Sequence, residues 1–166
     1  MAKTKWSDVV KHALYIHTHK DEYAYFYGAK GQRLTDATME ALWAAEPKYF
    51  SRYNAAQKKA IFDYSRGKVG YDCSGFIAAI TGCYMYSGAQ WEHCDHKTTN
   101  LAEGPGGSIL YRPGHVGIDI GIGGYYLHFP SEMHSCEMGK ISEKKVDWQA
   151  TGLMSYLVDY DGAINV

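Results

Sequence analysis

The chain has 166 residues and a formal net charge of −1, with 46% hydrophobic and 21% charged residues. This length and composition are those of an ordinary globular protein of one domain, with enough core to be stable unaided. The near-zero charge argues against nucleic acid or an anionic membrane as a partner, and no apolar stretch is long enough to span a bilayer.

The first half of the chain is predicted to be mostly helical, from the spacing of its apolar residues and from its cap and breaker residues. Asn54 and Gln57 have the pattern of a capping box at a helix start, and Pro47 should end the helix before it. We expect the four helices at 9–17, 36–46, 54–66 and 73–86.

The second half of the chain changes to short β-like runs after the glycine-rich loop 104–107. Helices first and an antiparallel meander second predict an α+β fold, with a helical N-terminal half packed on an antiparallel sheet from the C-terminal half. We predict a single domain over 1–166. The strands are expected at 108–111, 115–120, 125–129, 137–141 and 153–158.

The most informative segment is 71–76 (YDCSGF), which places Cys73 at the start of an apolar helix. Free backbone N–H groups and the positive end of the helix dipole favour a thiolate at such a position. We therefore expect a thiol that ionises easily, as a nucleophile requires. The alternative for Cys73 alone is a buried, inert cysteine.

A histidine opens the strand pattern of 114–121 (GHVGIDIG). Because side chains alternate along a strand, His115, Gly117 and Asp119 share one face, and the apolar residues between them share the other. We expect His115 to face the layer that contains the Cys73 helix. If the loop 121–124 closes a hairpin, Gly117 lies opposite His128, which then becomes a diagonal neighbour of His115, with open space left by Gly117.

These positions predict a catalytic constellation. Cys73 is the candidate nucleophile, His115 the base that takes its proton, and His128 the group that orients His115. Asp119 is a rival for the orienting role and ranks lower because it lies further along the strand. Backbone N–H groups at the start of the Cys73 helix are candidates to stabilise an oxyanion.

The segments 72–76 (DCSGF), 114–118 (GHVGI) and 127–129 (LHF) resemble the NlpC/P60 family of cell-wall cysteine peptidases. The segment 25–28 (YFYG) resembles that family's upstream Tyr-x-Trp-Gly. The resemblance implies a papain-like fold and hydrolysis of peptidoglycan stem peptides, commonly between D-γ-glutamyl and a diamino acid. It also implies the Cys73, His115 and His128 triad.

Three further residues take roles from the same resemblance. Tyr25 would lie against the thiol and help at the oxyanion, although Tyr23 and Tyr27 are alternatives. Asp72 and Ser74 would line the substrate groove, and in some family members the aspartate binds the amino end of the stem peptide. The chain departs from the family in a helical insertion at 31–70, which would cover or reshape the groove, and in the charge of Asp119.

Other readings of the chain remain open. The same thiol would serve an amidase that frees whole stem peptides from glycan, or an acyl transferase, and a catalytically silent module that binds wall peptides is the alternative from another class. No cofactor is predicted. The clusters 93–96 (HCDH) and 134–136 (HSC) have residues of a type that binds zinc, but their spacings are tighter than usual for a structural site, so we predict no metal.

The N-terminus shows neither an apolar signal region nor a cleavage site. We therefore expect synthesis in the cytoplasm, reduced cysteines and action on the bacterial cell wall, with no nucleic-acid partner and no membrane insertion. This combination is typical of a phage endolysin released by a membrane-permeabilising partner such as a holin, with an effector of a secretion apparatus as the alternative. We expect a monomer.

Overall fold

The computed structural model describes residues 2–164 and combines helices with strands, as predicted. No helix in this range has the length and apolar character needed to cross a bilayer. The helices are α1 (Trp6–Thr18), α2 (Asp36–Ala45), α3 (Pro47–Phe50), α4 (Ala55–Ser65), α5 (Cys73–Thr81) and α6 (Ser87–Glu92). The strands are β1 (Thr4–Lys5), β2 (Tyr23–Tyr25), β3 (Lys30–Arg33), β4 (Val69–Tyr71), β5 (Asp95–Thr98), β6 (Ile109–Arg112), β7 (His115–Asp119), β8 (Tyr125–His128), β9 (Glu137–Lys140), β10 (Ala150–Leu153) and β11 (Val158–Asp159).

The central feature is an antiparallel sheet with strand order β5-β10-β6-β7-β8-β9. Strands β6 to β9 follow one another as the predicted meander. The prediction of a strand at 153–158 is wrong. The pairing strand is Ala150–Leu153, because the chain turns directly afterwards, with the N–H of Leu157 bonded to the carbonyl of Met154 at 2.9 Å.

Helices α1 and α5 cover one face of this sheet and form the main core with the apolar side chains of β7 and β8. The expected continuation of α5 to Tyr86 is wrong, since the helix ends at Thr81. Gly82 adopts a left-handed conformation at φ 83° and donates its N–H to the carbonyl of Ala78 at 2.8 Å. A glycine in this conformation is a common helix terminator.

The predicted insertion contains the two expected helices, α2 and α4, with the short α3 between them. The capping box of α4 is present, with Asn54 and Gln57 each accepting the backbone N–H of the other at 2.9 Å. A small sheet of order β2-β4-β3 links this insertion to the rest of the chain. A second core beneath it contains Phe26, Leu34, Met39, Phe50, Ile61 and Phe62.

Candidate active site

Cys73 is the first residue of α5, and a single residue, Asp72, separates it from the end of β4. Asp72 caps the helix by accepting the N–H of Gly75 at 2.6 Å. This cap satisfies one of the backbone N–H groups that would otherwise lack a partner in the first turn of the helix. Cys73 as a whole is only 8% exposed.

The thiol is held protonated in this structure. Burial raises the pKa of Cys73 to about 11, and the charge of Asp72 adds to the rise. Hydrogen bonds from the N–H groups of Val116 and Ser74, and the charge of Lys30, oppose the rise but do not overcome it. The expectation of an easily ionised thiol is therefore wrong for this state, because desolvation outweighs the helix start.

The two candidate histidines are joined by a hydrogen bond. Nε2 of His115 lies 2.8 Å from Nδ1 of His128. The bond depends on the register of the β7–β8 hairpin, where Ile118 pairs with Leu127 and Asp119 with Tyr126. This is the register predicted from the four-residue loop, and it brings both rings to one face of the sheet.

The expected placement of α5 relative to His115 is wrong. Helix α5 packs on the opposite face of β7, against Val116 and Ile118. The apolar face must be covered, and α1 and α5 provide the apolar side chains to cover it. The sulfur of Cys73 instead lies near the backbone of β7, at the N–H of Val116.

The histidine face is covered by Trp148, a residue that sequence analysis did not single out. Its ring stacks on His115 with centroids 5.2 Å apart and 10° between planes, and it meets His128 edge-on at 6.0 Å. A Cβ atom added at Gly117 would lie 2.9 Å from the indole. The space expected to be open at Gly117 is thus filled, and no local pattern around Trp148 signals this contact.

Both rings are neutral in this environment. Burial lowers the pKa of His115 to about 4, assisted by the charge of Arg112. Burial also lowers the pKa of His128 to about 3, assisted by the charges of His115 and His134. The site therefore rests as a thiol with neutral imidazoles, and a neutral His115 is able to accept a proton.

The geometry assigns different surroundings to the two nitrogens of His115. Nε2 is bonded to His128, so Nδ1 is the nitrogen left for proton transfer. No hydrogen bond within residues 2–164 joins the sulfur of Cys73 to the His115 ring, although the sulfur contacts the adjacent residue, Val116. Transfer of the thiol proton thus requires the ring and sulfur to draw together, as catalytic contacts often do when substrate binds.

Asp119, the rival orienting residue, is engaged elsewhere. Its Oδ1 accepts the N–H of Gly121 at 2.7 Å and so stabilises the turn after β7. The side chain is buried, and burial raises the pKa of Asp119 to about 6. The structure thus pairs His115 with His128 and leaves Asp119 with the hairpin turn.

The predicted groove residues Asp72 and Ser74 are buried and bonded within the protein. Lys30, which sequence analysis did not identify, donates from Nζ to Asp72 Oδ1 at 2.7 Å and to Ser74 Oγ at 2.5 Å. The second oxygen of Asp72 accepts the N–H of Gly28 at 3.0 Å. Lys30 lies in β3, at the start of the insertion, and its contact with Asp72 spans more than forty residues of sequence.

Tyr25 lies at the end of β2, paired with Tyr71 in the small sheet. Because Tyr71 precedes Cys73 by two residues, this pairing brings Tyr25 into the same core cluster as the thiol. Burial raises the pKa of Tyr25, and the charges of Tyr49 and Cys73 add to the rise. Tyr25 is thus buried in the same cluster as the candidate nucleophile, near enough for the charge of Cys73 to influence its hydroxyl.

The residues considered for zinc do not converge. Cys94 lies in the main core and donates to the carbonyl of Gln90 at 3.3 Å, while His134 pairs with Glu137 at 2.6 Å. Within residues 2–164, no group of three or more His, Cys, Asp or Glu side chains is arranged to hold a metal ion.

The chain is similar in structure to a solved cell-wall enzyme domain. The crystal structure of the NlpC/p60 domain of peptidoglycan hydrolase SagA matches with a TM-score of 0.53 and 18% identity, over 91% of this chain and 100% of that chain. Neither a protein-family model nor a curated protein matches the chain. The chain therefore has the NlpC/P60 fold, and the predicted papain-like α+β class is confirmed.

Proposed function

We propose that the protein is a cysteine peptidase that hydrolyses peptidoglycan stem peptides, with Cys73 as nucleophile, His115 as base and His128 as the residue that orients the base. The hydrogen bond between His115 and His128, on the strand whose backbone contacts the thiol, is the observation that carries this proposal. The likeness to a domain described as part of a peptidoglycan hydrolase supports the same class of substrate.

The proposed reaction begins from neutral partners. The sulfur of Cys73 attacks the carbonyl carbon of the scissile amide while its proton passes to Nδ1 of His115. The proton then passes to the leaving amine as the C–N bond breaks and a thioester forms. Water, deprotonated by His115, attacks the thioester, and the carboxylic acid product and the thiol are released.

His128 fixes the tautomer of the base in this scheme. A neutral imidazole carries one N–H, and a base that accepts at Nδ1 must carry its hydrogen on Nε2. That hydrogen points at Nδ1 of His128, which accepts it. The imidazolium formed during attack keeps the same bond, so no rearrangement is needed.

The bond cleaved is proposed to be the one between D-γ-glutamyl and a diamino acid. The backbone N–H of Ser74, which lies near the sulfur of Cys73, is the candidate oxyanion donor. Asp72 and Ser74 are proposed to border the substrate at the start of α5.

Digestion of purified peptidoglycan, followed by mass analysis of the fragments, tests the proposal. The intact protein should release new amino groups and leave fragments cut within the stem peptide, whereas Cys73→Ala should release none. Whole stem peptides freed from glycan would show an amidase instead. Binding without cleavage, identical in the intact protein and Cys73→Ala, would show a silent binding module.

A further inference from the structure

A series of hydrogen-bonded hydroxyl groups, half-buried at Tyr49 and Tyr53 and buried at Tyr25, runs from the insertion toward the candidate active site. The hydroxyls of Tyr49 and Tyr53 both donate to Oε2 of Glu132, at 3.0 and 2.8 Å. Tyr25 forms a hydrogen bond with the hydroxyl of Tyr49. The outer end, Glu132, and the inner end, Tyr25, are 8% and 6% exposed, so water has little access to either.

Tyr49, in the middle of this series of hydroxyl groups, is held rigidly by its neighbours. The Tyr49 ring stacks on Tyr27 with centroids 3.7 Å apart, and the guanidinium of Arg52 lies 4.2 Å from the Tyr49 ring centroid. At the inner end, the N–H of Tyr25 is bonded to the carbonyl of His134 at 2.8 Å, so backbone and side chain are both anchored. Such a network has little freedom to rearrange when substrate binds.

The bond to Glu132 fixes the directions of the other hydrogen bonds in this series of hydroxyl groups. Tyr49 donates its single hydroxyl hydrogen to Oε2 of Glu132. The oxygen of Tyr49 is then left as an acceptor, and Tyr25 must donate its own hydrogen to it. The oxygen of Tyr25 therefore keeps only lone pairs for any group beside Cys73.

We propose that Glu132 and Tyr49 are positioning residues that hold the Tyr25 hydroxyl as a hydrogen-bond acceptor, directed toward an N–H group of the substrate beside Cys73. The inference rests on the proposed function for the identity of the substrate. It differs from the oxyanion role that resemblance implied for Tyr25, because an oxyanion needs a donor. Stabilisation of the oxyanion is left to backbone N–H groups at the start of α5.

Two tyrosines allow a matched test. Tyr49→Phe and Tyr53→Phe each delete one hydroxyl bonded to Glu132, but only Tyr49 connects to Tyr25. With a synthetic stem peptide that carries the D-γ-glutamyl–diaminopimelate bond, Tyr49→Phe should raise KM about three- to tenfold with kcat within about twofold, the size expected for one hydrogen bond. Tyr53→Phe should leave KM within about twofold.

The decisive comparison is whether substitutions at Tyr25 and Tyr49 affect KM together or independently. Tyr25→Phe should show the same rise in KM as Tyr49→Phe, and the double variant should show no further rise. Glu132→Gln should retain most of the affinity because its amide oxygen also accepts, whereas Glu132→Leu should match Tyr49→Phe. Independent, additive effects of the two tyrosines, or equal effects of Tyr49→Phe and Tyr53→Phe, would overturn the positioning role.

A measurement without substrate separates this proposal from the proposed function. In protein labelled at tyrosine Cζ, the Tyr25 resonance, assigned with Tyr25→Phe, should move in Tyr49→Phe and stay in place in Tyr53→Phe. If the peptide is not cleaved but the resonance moves as expected, the proposed function fails and the positioning of Tyr25 stands. An unmoved resonance in Tyr49→Phe overturns the positioning, whether or not the peptide is cleaved.

Discussion

The indole of Trp148 lies nearly parallel to the imidazole of His115, with the ring centroids 5.2 Å apart. This contact is part of the burial that lowers the pKa of His115 to about 4. Since the base must be neutral to accept a proton, the contact extends the active pH range toward acid. Trp148 thus belongs to the electrostatics of the site as well as to its packing.

Removing the indole should narrow that range. In Trp148→Ala the pKa of His115 should rise toward its ordinary value of 6.5, and the acidic limb of kcat/KM should rise with it. We expect a loss of about tenfold or more at pH 5 and a smaller loss at pH 8. A pH profile of stem-peptide hydrolysis measures both.

Trp148→Phe is the matched control, because it keeps an aromatic ring over His115 and should keep the acidic limb near that of the unaltered protein. Gly117→Ala would disturb the same stacking contact from the side of β7, because the added methyl group would clash with the indole of Trp148. An acidic limb unmoved by Trp148→Ala would show that the indole does not control the His115 pKa.

The protonation state of the thiol predicts an unusual alkylation profile. Because the thiolate is the reactive form and burial raises the pKa of Cys73 to about 11, the rate of reaction with iodoacetamide should climb steadily from pH 6 to about pH 10. A thiolate–imidazolium pair would give a plateau at low pH instead. Mass analysis of the peptide that contains Cys73 measures the rate.

Among the other cysteines, Cys94 and Cys136 are buried in the core, and burial raises the pKa of both further than that of Cys73. They should react more slowly than Cys73 at every pH in the native protein. Uniform labelling of all three would contradict this ordering.

Loss of the orienting histidine should reduce turnover. His128→Ala removes the partner of His115 Nε2, so the base no longer has a fixed tautomer, and kcat should fall by about 10- to 1,000-fold. His128→Asn, which retains a group able to accept from His115, should recover part of the loss. Hydrolysis of the synthetic stem peptide measures kcat, and thermal unfolding shows whether each variant is folded.

Asp119→Asn should affect stability and leave turnover unchanged. Burial holds the pKa of Asp119 at about 6, above its ordinary value of 3.8, so the folded state binds this proton more tightly than the unfolded state does. The stability contributed by the protonated group is fully present below pH 4 and is lost as pH rises through 6. The variant, which mimics the protonated form, should be more stable than the unaltered protein by about 2–3 kcal/mol at pH 8 and by nearly nothing at pH 3.5.

Denaturant unfolding at the two pH values checks this difference. An equal effect at pH 3.5 and pH 8 would exclude titration of Asp119 as its cause. A fall in kcat comparable to that of His128→Ala would instead restore Asp119 as the orienting residue.

Lys30 should influence the choice of substrate. Its ammonium group is bonded to the carboxylate of Asp72, the group that resemblance implies for binding a substrate amine. Lys30→Met should free that carboxylate and lower KM several-fold for a stem peptide with a free amino end, relative to the same peptide acetylated there. The ratio of the two KM values is the measurement.

Lys59→Met removes a surface ion pair with Asp63 within α4 and serves as the control, with no expected change in the ratio. A ratio unaltered by Lys30→Met would show that Asp72 does not receive the amino end of the substrate.

Local sequence patterns determined a large part of this fold. Asp72 and the apolar run after Cys73 specified a capped helix start, and Asn54 with Gln57 specified another. Strict alternation in β7, followed by a short glycine-rich loop, was enough to predict the β7–β8 register and hence the side of the sheet shared by His115 and His128. Each of these features depends on residues close together in the chain.

Only the tertiary structure decided what surrounds those residues. Trp148, Lys30 and Glu132 reach the site or its supporting network from distant elements, and contacts between distant residues leave no trace in a local pattern. The protonation of Cys73 and the face of β7 covered by α5 were also decided at this level, because both depend on how much water the packed helices and sheet exclude.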